Sequence, residues 1–511
     1  MEPAAQTTAG KILGLIEEGV PAFRTIPYAR ADRFRPPVPP LPWTDSRDCR
    51  TFSGRAPQLG LAATPRPEMV DFSGPPDTSP ETEDCLTVNV WTPDLDPQAK
   101  RAVMVWFHGG AFAYGNANAQ RLRGSRLARK HDVVVVNVNQ RLNIFGHLDL
   151  SAIGGEGFRH SGNAGTLDMI AALEWVRDNI GAFGGDAGNV TIFGESGGGG
   201  KVSTLLAMPR AAGLFHRAII QSGAAVRLRT QERATALTEC VMRQLGVRGV
   251  DDLLSASVSG LLAAVDPAQK ALGPSPTPLF DRYPFGPVVD SDILPAHPFD
   301  PNAPDVSADI PLIIGDMKDE MASFLAPDDR IWNRTLTEAE LRDRVTAIAG
   351  PRTGEVLDLY GRLYGHLNPA ERLIAITTDS NFRIRSLVLA QRRAAKNRGP
   401  VWMYSFEWET PVLGGRLRAP HAMDVPFVFN TLDLTNATGG SVEAQALSDT
   451  MAAVWAAFAR NGRPDHPAIP CWPTYDPQTR ATLMLDANCR IENDPRGEGR
   501  RIWQDITGTL V

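Results

Sequence analysis

Residues 190–208 read VTIFGESGGGGKVSTLLAM, and this stretch decides the fold class of the chain. The β-branched and aromatic run before Gly194 is typical of a buried strand, and the segment 201–208 has the composition of a helix that ends at a following proline. The order is therefore strand, tight turn, helix. This order places Ser196 on a sharp turn at the end of a strand.

The residues of this turn also make Ser196 a candidate nucleophile. A serine hydroxyl is a poor nucleophile until a base takes its proton, and it must stand free of neighbouring side chains. In Gly-x-Ser-x-Gly the glycines permit a strained turn that raises the serine oxygen above the sheet. Gly194, Ser196 and Gly198 fit this pattern, and a plain glycine-rich connector is the alternative. A phosphate loop is excluded, because Glu195 and Val202 stand where that motif needs glycine and Ser or Thr.

Unbroken apolar runs recur along the chain and predict further buried strands. Residues 103–107 and 133–138 are almost entirely β-branched or aromatic, as in strands that are covered on both faces. Helical patterns alternate with these runs, so we predict an α/β fold with a large, mostly parallel central sheet flanked by helices. The other predicted strands are 190–193, 217–223, 311–315 and 401–408, and the main predicted helices lie at 163–180, 337–397 and 448–460.

No boundary between domains stands out in the sequence. A chain of 511 residues would suggest about three domains from length alone, yet no linker separates the predicted elements. We therefore predict a single domain over residues 1–511. The insert at about 225–300 and the helical region at about 325–400 are expected to form walls or a cap over the site, together with the Pro- and Gly-rich loop 59–82.

Composition excludes several classes of protein. With 22% charged and 43% hydrophobic residues, the chain is an ordinary globular one. Its net charge of -6 offers no basic surface for nucleic acid, so no nucleic-acid partner is expected. Neither a signal peptide nor a membrane span is seen, which predicts a cytoplasmic protein. The five scattered cysteines show no metal-like spacing and no disulfide framework.

A second glycine-rich segment follows the predicted strand at 103–107. Residues 108–111 read HGGA, and their small side chains let backbone N–H groups turn into a site. Acyl transfer needs such donors, because they stabilise the oxyanion of the tetrahedral intermediate. The segment resembles the His-Gly-Gly-Gly segment of esterases and lipases.

Seven motifs together resemble one family, the type-B carboxylesterases, which include bacterial para-nitrobenzyl-type esterases and animal cholinesterases. The resemblance covers nearly the whole chain and implies the α/β-hydrolase fold. The matching segments are 23–29 (FRTIPYA), 83–93 (EDCLTVNVWTP), 108–111 (HGGA), 162–168 (GNAGTLD), 183–186 (FGGD), 194–198 (GESGG) and 426–429 (PFVF).

The resemblance selects the acid and the base of a catalytic triad. Residues 315–320 read GDMKDE, and from the residues alone Asp316, Asp319 and Glu320 are all candidate acids. The family pattern implies Glu320. The same pattern implies His421, in the segment APHAMD, as the general base. The order Ser, Glu, His along the chain is the one expected for this fold.

The resemblance further implies an oxyanion hole made by the backbone N–H groups of Gly110, Ala111 and Gly197. Glu195 and Ser222 are expected to buttress the site. Two of these positions depart from the family pattern, since Gly197 replaces an alanine and Ala111 replaces a glycine. Both departures leave the backbone donors in place.

Two further features of the site carry expectations. Met321 replaces the glycine that usually follows the acid, which bears on the geometry of that turn. Phe112, Tyr114 and Phe324 are candidate wall residues for the substrate, with ordinary packing as the alternative.

The predicted function is hydrolysis of a small-molecule carboxylic ester through an acyl-serine intermediate, with no cofactor and no metal. If His421 is the base, activity should fall as the pH drops through about 6 to 7. A carbamate or amide hydrolase with the same triad is one alternative, and a non-catalytic binding protein on this fold is another. The sequence leaves open whether the protein is a monomer or a homodimer.

Overall fold

An eleven-stranded sheet forms the centre of the computed structural model, which describes residues 2–59, 66–69, 72–75, 77–274 and 283–508. Two smaller sheets, of three and two strands, accompany it. In chain order the strands are β1 Ala4–Gln6, β2 Lys11–Leu13, β3 Leu15–Glu17, β4 Val20–Pro27, β5 Arg47–Asp48, β6 Thr87–Trp91, β7 Arg101–Phe107, β8 Val134–Val138, β9 Gly185–Glu195, β10 Arg217–Gln221, β11 Arg229–Thr230, β12 Val288–Val289, β13 Leu312–Met317, β14 Val401–Phe406, β15 Ala481–Leu485 and β16 Arg490–Asn493.

The large sheet is mostly parallel, as predicted. Its strand order is β16-β15-β14-β13-β10-β9-β7-β8-β6-β4-β3. The seven strands from β15 to β8 run parallel, whereas β16 at one edge and β6, β4 and β3 at the other pair antiparallel. All five residues of β8 and six of the seven residues of β7 are buried, which explains why these strands read as unbroken apolar runs.

Helices cover both faces of the sheet and form the inserts. They are α1 Ser125–His131, α2 Asn143–His147, α3 Ala164–Asn179, α4 Gly197–Leu206, α5 Gln231–Leu245, α6 Val250–Ser255, α7 Val258–Ala263, α8 Val265–Leu272, α9 Met321–Leu325, α10 Asp329–Trp332, α11 Glu338–Ala349, α12 Thr353–Leu363, α13 Pro369–Thr378, α14 Ile384–Ala394, α15 Asp424–Val428, α16 Val442–Asn461 and α17 Gly497–Thr507. Within the described part of the chain, no helix combines the length and the apolar character that crossing a bilayer requires.

The predicted inserts are largely helical. Helices α5 to α8 come from the 225–300 insert and contribute to an apolar cluster separate from the two that line the sheet. Helices α10 to α14 lie in the predicted region 325–400, and α9 directly precedes it. In the predicted loop 59–82, residues 60–65, 70, 71 and 76 lie outside the described residues, and so do residues 275–282 of the insert.

One helix begins earlier than the sequence indicates. Helix α4 starts at Gly197, immediately after the serine, and not at Lys201. Four successive glycines are poor helix formers, so the pattern hides this first turn. Backbone packing explains it: Cβ atoms placed on Gly197, Gly198 and Gly199 would lie 2.3, 2.0 and 2.8 Å from backbone atoms of neighbouring segments. Only glycine lets the helix start this close to its surroundings.

The carboxyl ends of four parallel strands meet at one edge of the sheet. In the strand register Phe107 of β7 is beside Gly194 of β9, and Gln221 of β10 lies between Glu195 and Gly315 of β13. The segments that follow these strands therefore converge. In open α/β sheets this edge is where ligands bind.

Candidate active site

Ser196 occupies the strained turn between β9 and α4. Its φ and ψ are 57° and -123°, in a region that non-glycine residues rarely adopt. Its backbone N–H donates to the carbonyl of Gln221 at 2.8 Å, which fixes the turn to the end of β10. The glycines on either side are required, because a Cβ on Gly194 would lie 2.5 Å from the backbone of Gly198.

The loop after β7 brings its backbone N–H groups to the same place. Gly110, Ala111 and Phe112 all have positive φ, at 97°, 52° and 62°. The N–H groups of Gly110 and Ala111 donate to no acceptor among the described residues. Gly197 is the first residue of α4, so its N–H has no acceptor within the helix. A Cβ on Gly197 would lie 2.3 Å from the nitrogen of Ala111, so these donors lie side by side.

Glu320 is the acid that contacts His421. Its Oε2 lies 2.5 Å from Nδ1 of the histidine, and its Oε1 accepts a hydrogen bond from the backbone N–H of Met317 at 2.9 Å. The carboxylate is fully buried, which strengthens its interaction with the imidazole. An acid in this position fixes the tautomer and the orientation of the ring.

The neighbouring acids have other partners. Asp316 faces the guanidinium of Arg383 at 3.3 Å. Asp319 accepts from Nε of Arg418 at 3.0 Å, and its backbone N–H donates to the carbonyl of Ala419 at 3.1 Å. Asp319 thus holds the segment that carries the histidine but does not contact the histidine itself.

Asp424 anchors the other end of that segment, and the sequence reasoning did not single it out. It is fully buried and accepts hydrogen bonds from Nε2 of Gln221 at 2.8 Å and from the hydroxyl of Tyr404 at 3.0 Å. Both partners lie on strands of the sheet. His421 therefore sits between two carboxylates that fasten its segment to the strand ends.

The second imidazole nitrogen faces Glu195. Nε2 of His421 lies 3.1 Å from Oε1 of Glu195, and this buried carboxylate belongs to the residue directly before Ser196. The hydroxyl of Ser196 makes no hydrogen bond within the described part of the chain. Hydrogen bonds between a nucleophile and its base often form only when substrate is bound.

Two aromatic rings flank His421. The ring centroids of Phe324 and Phe382 lie 4.9 and 5.1 Å from that of the imidazole, and the two phenyl rings stack on each other at 5.9 Å. Phe324, a predicted wall residue, is 39% exposed. Phe382 was not predicted, and it lies in a single turn of π-helix, Asp379–Arg383. Such turns occur frequently at functional sites.

The remaining predicted residues take different positions. Phe112 is buried, and its ring packs edge-on against His147 with the centroids 5.7 Å apart. Tyr114 is half-buried, with its ring 5.4 Å from that of Tyr283 in the insert. Ser222 follows β10 with a φ of 50°, and its buried hydroxyl has no hydrogen-bond partner in the described ranges.

Comparison with known proteins gives the family. The family model for the carboxylesterase family matches residues 1–503. The chain belongs to the carboxylesterase family. It is 38% identical to the para-nitrobenzyl esterase of Bacillus subtilis (strain 168), over 97% of each chain, and 32% identical to the phenmedipham hydrolase of Pseudarthrobacter oxydans, over 96% of this chain and 97% of the relative.

Comparison with solved structures gives the same family. A crystal structure of a carboxylesterase from Geobacillus stearothermophilus matches with a TM-score of 0.83 and 36% identity, and it covers 98% of this chain and 100% of that one. The predicted resemblance and the α/β-hydrolase fold are thereby confirmed. The protein is a serine carboxylesterase, and ester hydrolysis is its activity.

The carboxylesterase accommodates its departures from the family pattern in different ways. Met321 is the first residue of α9 and is not among the residues with positive φ, so this turn needs no glycine. Ala111 does adopt a left-handed conformation that would suit glycine. Gly197 is required in this chain, because an alanine side chain would meet the backbone of the loop.

Buried charges set the protonation of the carboxylesterase's candidate base. Burial raises the pKa of Glu195 to about 8. Burial lowers the pKa of His421, but the carboxylates of Glu195 and Glu320 outweigh this effect and raise it to about 9. The imidazolium is therefore favoured, which stabilises the state that forms when the ring accepts a proton.

Proposed function

We propose that Ser196, His421 and Glu320 are the catalytic triad of this carboxylesterase. His421, oriented by Glu320, takes the hydroxyl proton of Ser196 as the serine oxygen attacks the ester carbonyl carbon. The imidazolium then protonates the departing alcohol, and an acyl-serine remains. Water then gives a proton to His421 as its oxygen attacks the acyl carbon. The tetrahedral intermediate expels the serine oxygen, which takes this proton back from His421, and the carboxylic acid leaves.

The backbone N–H groups of Gly110, Ala111 and Gly197 form the oxyanion hole in both steps. Each tetrahedral intermediate places a negative charge on the former carbonyl oxygen. Donors fixed in a water-poor site stabilise that charge without having to reorganise. The two segments that carry these donors adjoin, and their N–H groups are not used elsewhere within the described ranges.

Glu195 and Ser222 support the catalytic residues. Tyr114 and Phe324 contribute to the walls of the substrate site. Glu195 lies against the imidazole nitrogen that is not bound to Glu320, where its ionised form stabilises the imidazolium. Phe324 is the more exposed of the two rings beside His421. We assign Phe112 to support of the loop that follows β7, because its ring is buried.

The contact between Glu320 and His421 carries this proposal. Of the three acids within residues 315–320, Glu320 alone contacts His421, at 2.5 Å. Ser196, with its strained backbone, lies at the same edge of the sheet. A buried, oriented histidine next to a presented serine is the arrangement that nucleophilic catalysis requires.

Hydrolysis of para-nitrophenyl butyrate tests the proposal. The Ser196→Ala variant should lose at least about 10³-fold in kcat. Ser203→Ala is the matched control, because Ser203 lies on the same helix and its hydroxyl donates to the carbonyl of Gly199 at 2.9 Å. Equal turnover by wild type and Ser196→Ala would remove the serine from its role.

The same triad can attack carbamates and amides, and the leaving group decides the rate. Paired assays with a para-nitrophenyl ester and the matching para-nitroanilide separate the possibilities. We expect the ester to react faster, because its leaving group needs less protonation.

We infer a cytoplasmic location from the cysteines. All five are free thiols, and Cys49, Cys85 and Cys240 are buried. Unpaired cysteines are typical of reducing compartments, where disulfides rarely form. Labelling of the five thiols in rapidly quenched cells would test this inference, since a disulfide would contradict it.

A further inference from the structure

Lys201 is a buried lysine that the proposed mechanism leaves unused. It lies on α4 with 0% of its surface exposed, and no carboxylate pairs with it among the described residues. Lysine is almost never fully buried unless it is paired. Burial pulls the pKa of its amine well below the ordinary value. Burial of an amine without a carboxylate partner is unfavourable, so its remaining contacts must compensate.

Within the described ranges, the amine makes one hydrogen bond. Nζ of Lys201 donates to the backbone carbonyl of His108 at 2.7 Å. His108 begins the oxyanion loop, which we define as residues 108–112. Lys201 stands four residues after Gly197, so it lies one turn further along the same face of α4.

The hydrogen bond joins the two segments that supply the oxyanion hole. Gly197 contributes its N–H from α4, whereas Gly110 and Ala111 contribute theirs from the oxyanion loop. These segments are remote in sequence. Lys201 is anchored in the helix and bonds to the start of the loop, so the length of its side chain fixes how far apart the two sets of donors lie.

The far end of the oxyanion loop also rests on α4. The ring centroid of Phe112 lies 5.8 Å from Nζ of Lys201. A Cβ on Gly200 would lie 3.2 Å from the same ring, so the phenyl group packs directly on the first turn of the helix. The loop is thus held at both ends, by a hydrogen bond at His108 and by packing at Phe112.

The conformation of the oxyanion loop makes such support necessary. Ala111 and Phe112 are both left-handed although neither is glycine. Strained backbone of this kind persists only where the surrounding structure fixes it. Loss of one fastening would let the loop relax, and its N–H groups would move relative to Gly197.

We infer that Lys201 is a positioning residue for the oxyanion hole, which holds the loop donors at their working distance from the N–H of Gly197. The inference rests on the proposed function. Oxyanion stabilisation depends on donors about 2.7–3.1 Å from the developing charge. A displacement of 1 Å by a residue away from the reacting atoms can cost about 10²-fold in rate. The ground-state ester carries no such charge, so KM should change little.

The Lys201→Met variant tests the inference, because methionine fills a similar volume without a donor. We expect kcat for para-nitrophenyl butyrate to fall about 10- to 100-fold, with KM within about threefold of wild type. The thermal midpoint should stay the same or rise, because the variant no longer buries an amine that has no carboxylate partner among the described residues. Thr204→Val is the matched control: this buried hydroxyl on the same helix bonds back to Gly200 and not to the loop.

An aryl trifluoromethyl ketone separates positioning from general packing. The oxygen of Ser196 adds to the ketone carbon, the hydroxyl proton passes to His421, and the former carbonyl oxygen becomes an oxyanion in the hole. Affinity for this inhibitor should fall in Lys201→Met by about the same factor as kcat. Lys201→Gln keeps an N–H donor and should lose less than Lys201→Met in both measurements.

Two results would overturn the inference. One is a Lys201→Met variant with wild-type kcat and inhibitor affinity. The other is a loss of kcat, with or without a lower thermal midpoint, that leaves inhibitor affinity unchanged. Ser196→Ala is assayed in parallel, and if it keeps wild-type turnover the proposed function fails first. An inactive Ser196→Ala beside an unaffected Lys201→Met rejects the role of Lys201 alone.

Discussion

The two halves of the proposed active site are built by different means. The nucleophile half, residues 108–112 and 194–201, is shaped by backbone: positive φ angles, adjacent N–H groups and glycines that allow close approach. The histidine half, residues 316–320 and 418–424, is held by buried side chains that carry charge. Substitutions in the nucleophile half should therefore act through geometry, and those in the histidine half through charge and hydrogen bonding.

The largest effect within this comparison is expected for Glu320→Gln. The amide retains the shape of the side chain but loses the charge that orients His421 and stabilises the imidazolium. By analogy with other serine hydrolase triads, we expect a loss of about 10³- to 10⁴-fold in kcat. Steady-state hydrolysis of para-nitrophenyl butyrate measures it.

Asp319→Asn is the matched control for Glu320→Gln. Asp319 is equally buried but contacts Arg418 and Ala419 and not the histidine. We expect a loss of no more than about tenfold, because the ring keeps its acid partner. A larger loss for Asp319→Asn than for Glu320→Gln would reverse the assignment of the acid.

Gly197→Ala probes the nucleophile half. Its Cβ would meet the nitrogen of Ala111, so the oxyanion loop must move and its donors with it. We expect kcat to fall about 10²-fold with little change in KM. Gly249→Ala serves as control, because a Cβ there meets nothing within 4 Å. Wild-type kcat in Gly197→Ala would show that the hole tolerates an added side chain.

Glu195→Gln tests how charge tunes the base. His421 must be neutral to accept a proton, and nearby carboxylates raise its pKa to about 9. An ordinary histidine would place the rise of activity with pH at about pH 6 to 7. In the wild type this rise should therefore occur at a higher pH. Removing the charge of Glu195 lowers this pKa, so the acidic limb of kcat/KM between pH 5 and 9 should move to lower pH. A limb that stays in place or moves upward would contradict this electrostatic role.

Phe382→Leu should have the smallest effect. Leucine preserves apolar packing beside His421 but removes the aromatic face, which stabilises a cation by about 0.5–1 kcal/mol at exposed sites. We expect kcat to fall about two- to fivefold. The measurement is made at a pH above the acidic limb, so that a shift of the pKa of His421 cannot account for a lower kcat. An unchanged kcat at that pH would mean that Phe382 contributes packing alone.

Each of the two segments of the nucleophile half carries its own local signal in the sequence. The strand, the turn and Ser196 lie within a few residues of one another, and the strands around them are unbroken apolar runs. The start of α4 was missed because glycines signal a break in a helix and not its first turn. Lys201 carries no signal of its role in the sequence, since its partner His108 lies far away along the chain.

The histidine half needed the family resemblance. Three acids stand within residues 315–320, between the end of β13 and the start of α9. Only the direction of each side chain decides which one meets the imidazole. Phe382 lies in a helical region without a motif, and a π-helical turn leaves no periodic signal. The single domain over residues 1–511 stays a prediction.

Covalent labelling tests the central claim most directly. An organofluorophosphonate phosphonylates an activated serine: the serine oxygen bonds to phosphorus, fluoride leaves, and the hydroxyl proton goes to the base. We predict one label per chain, located on Ser196 by peptide mapping, with a labelling rate that falls at least about 10²-fold in Glu320→Gln. A label on another residue, or equal labelling of wild type and Ser196→Ala, would contradict the account.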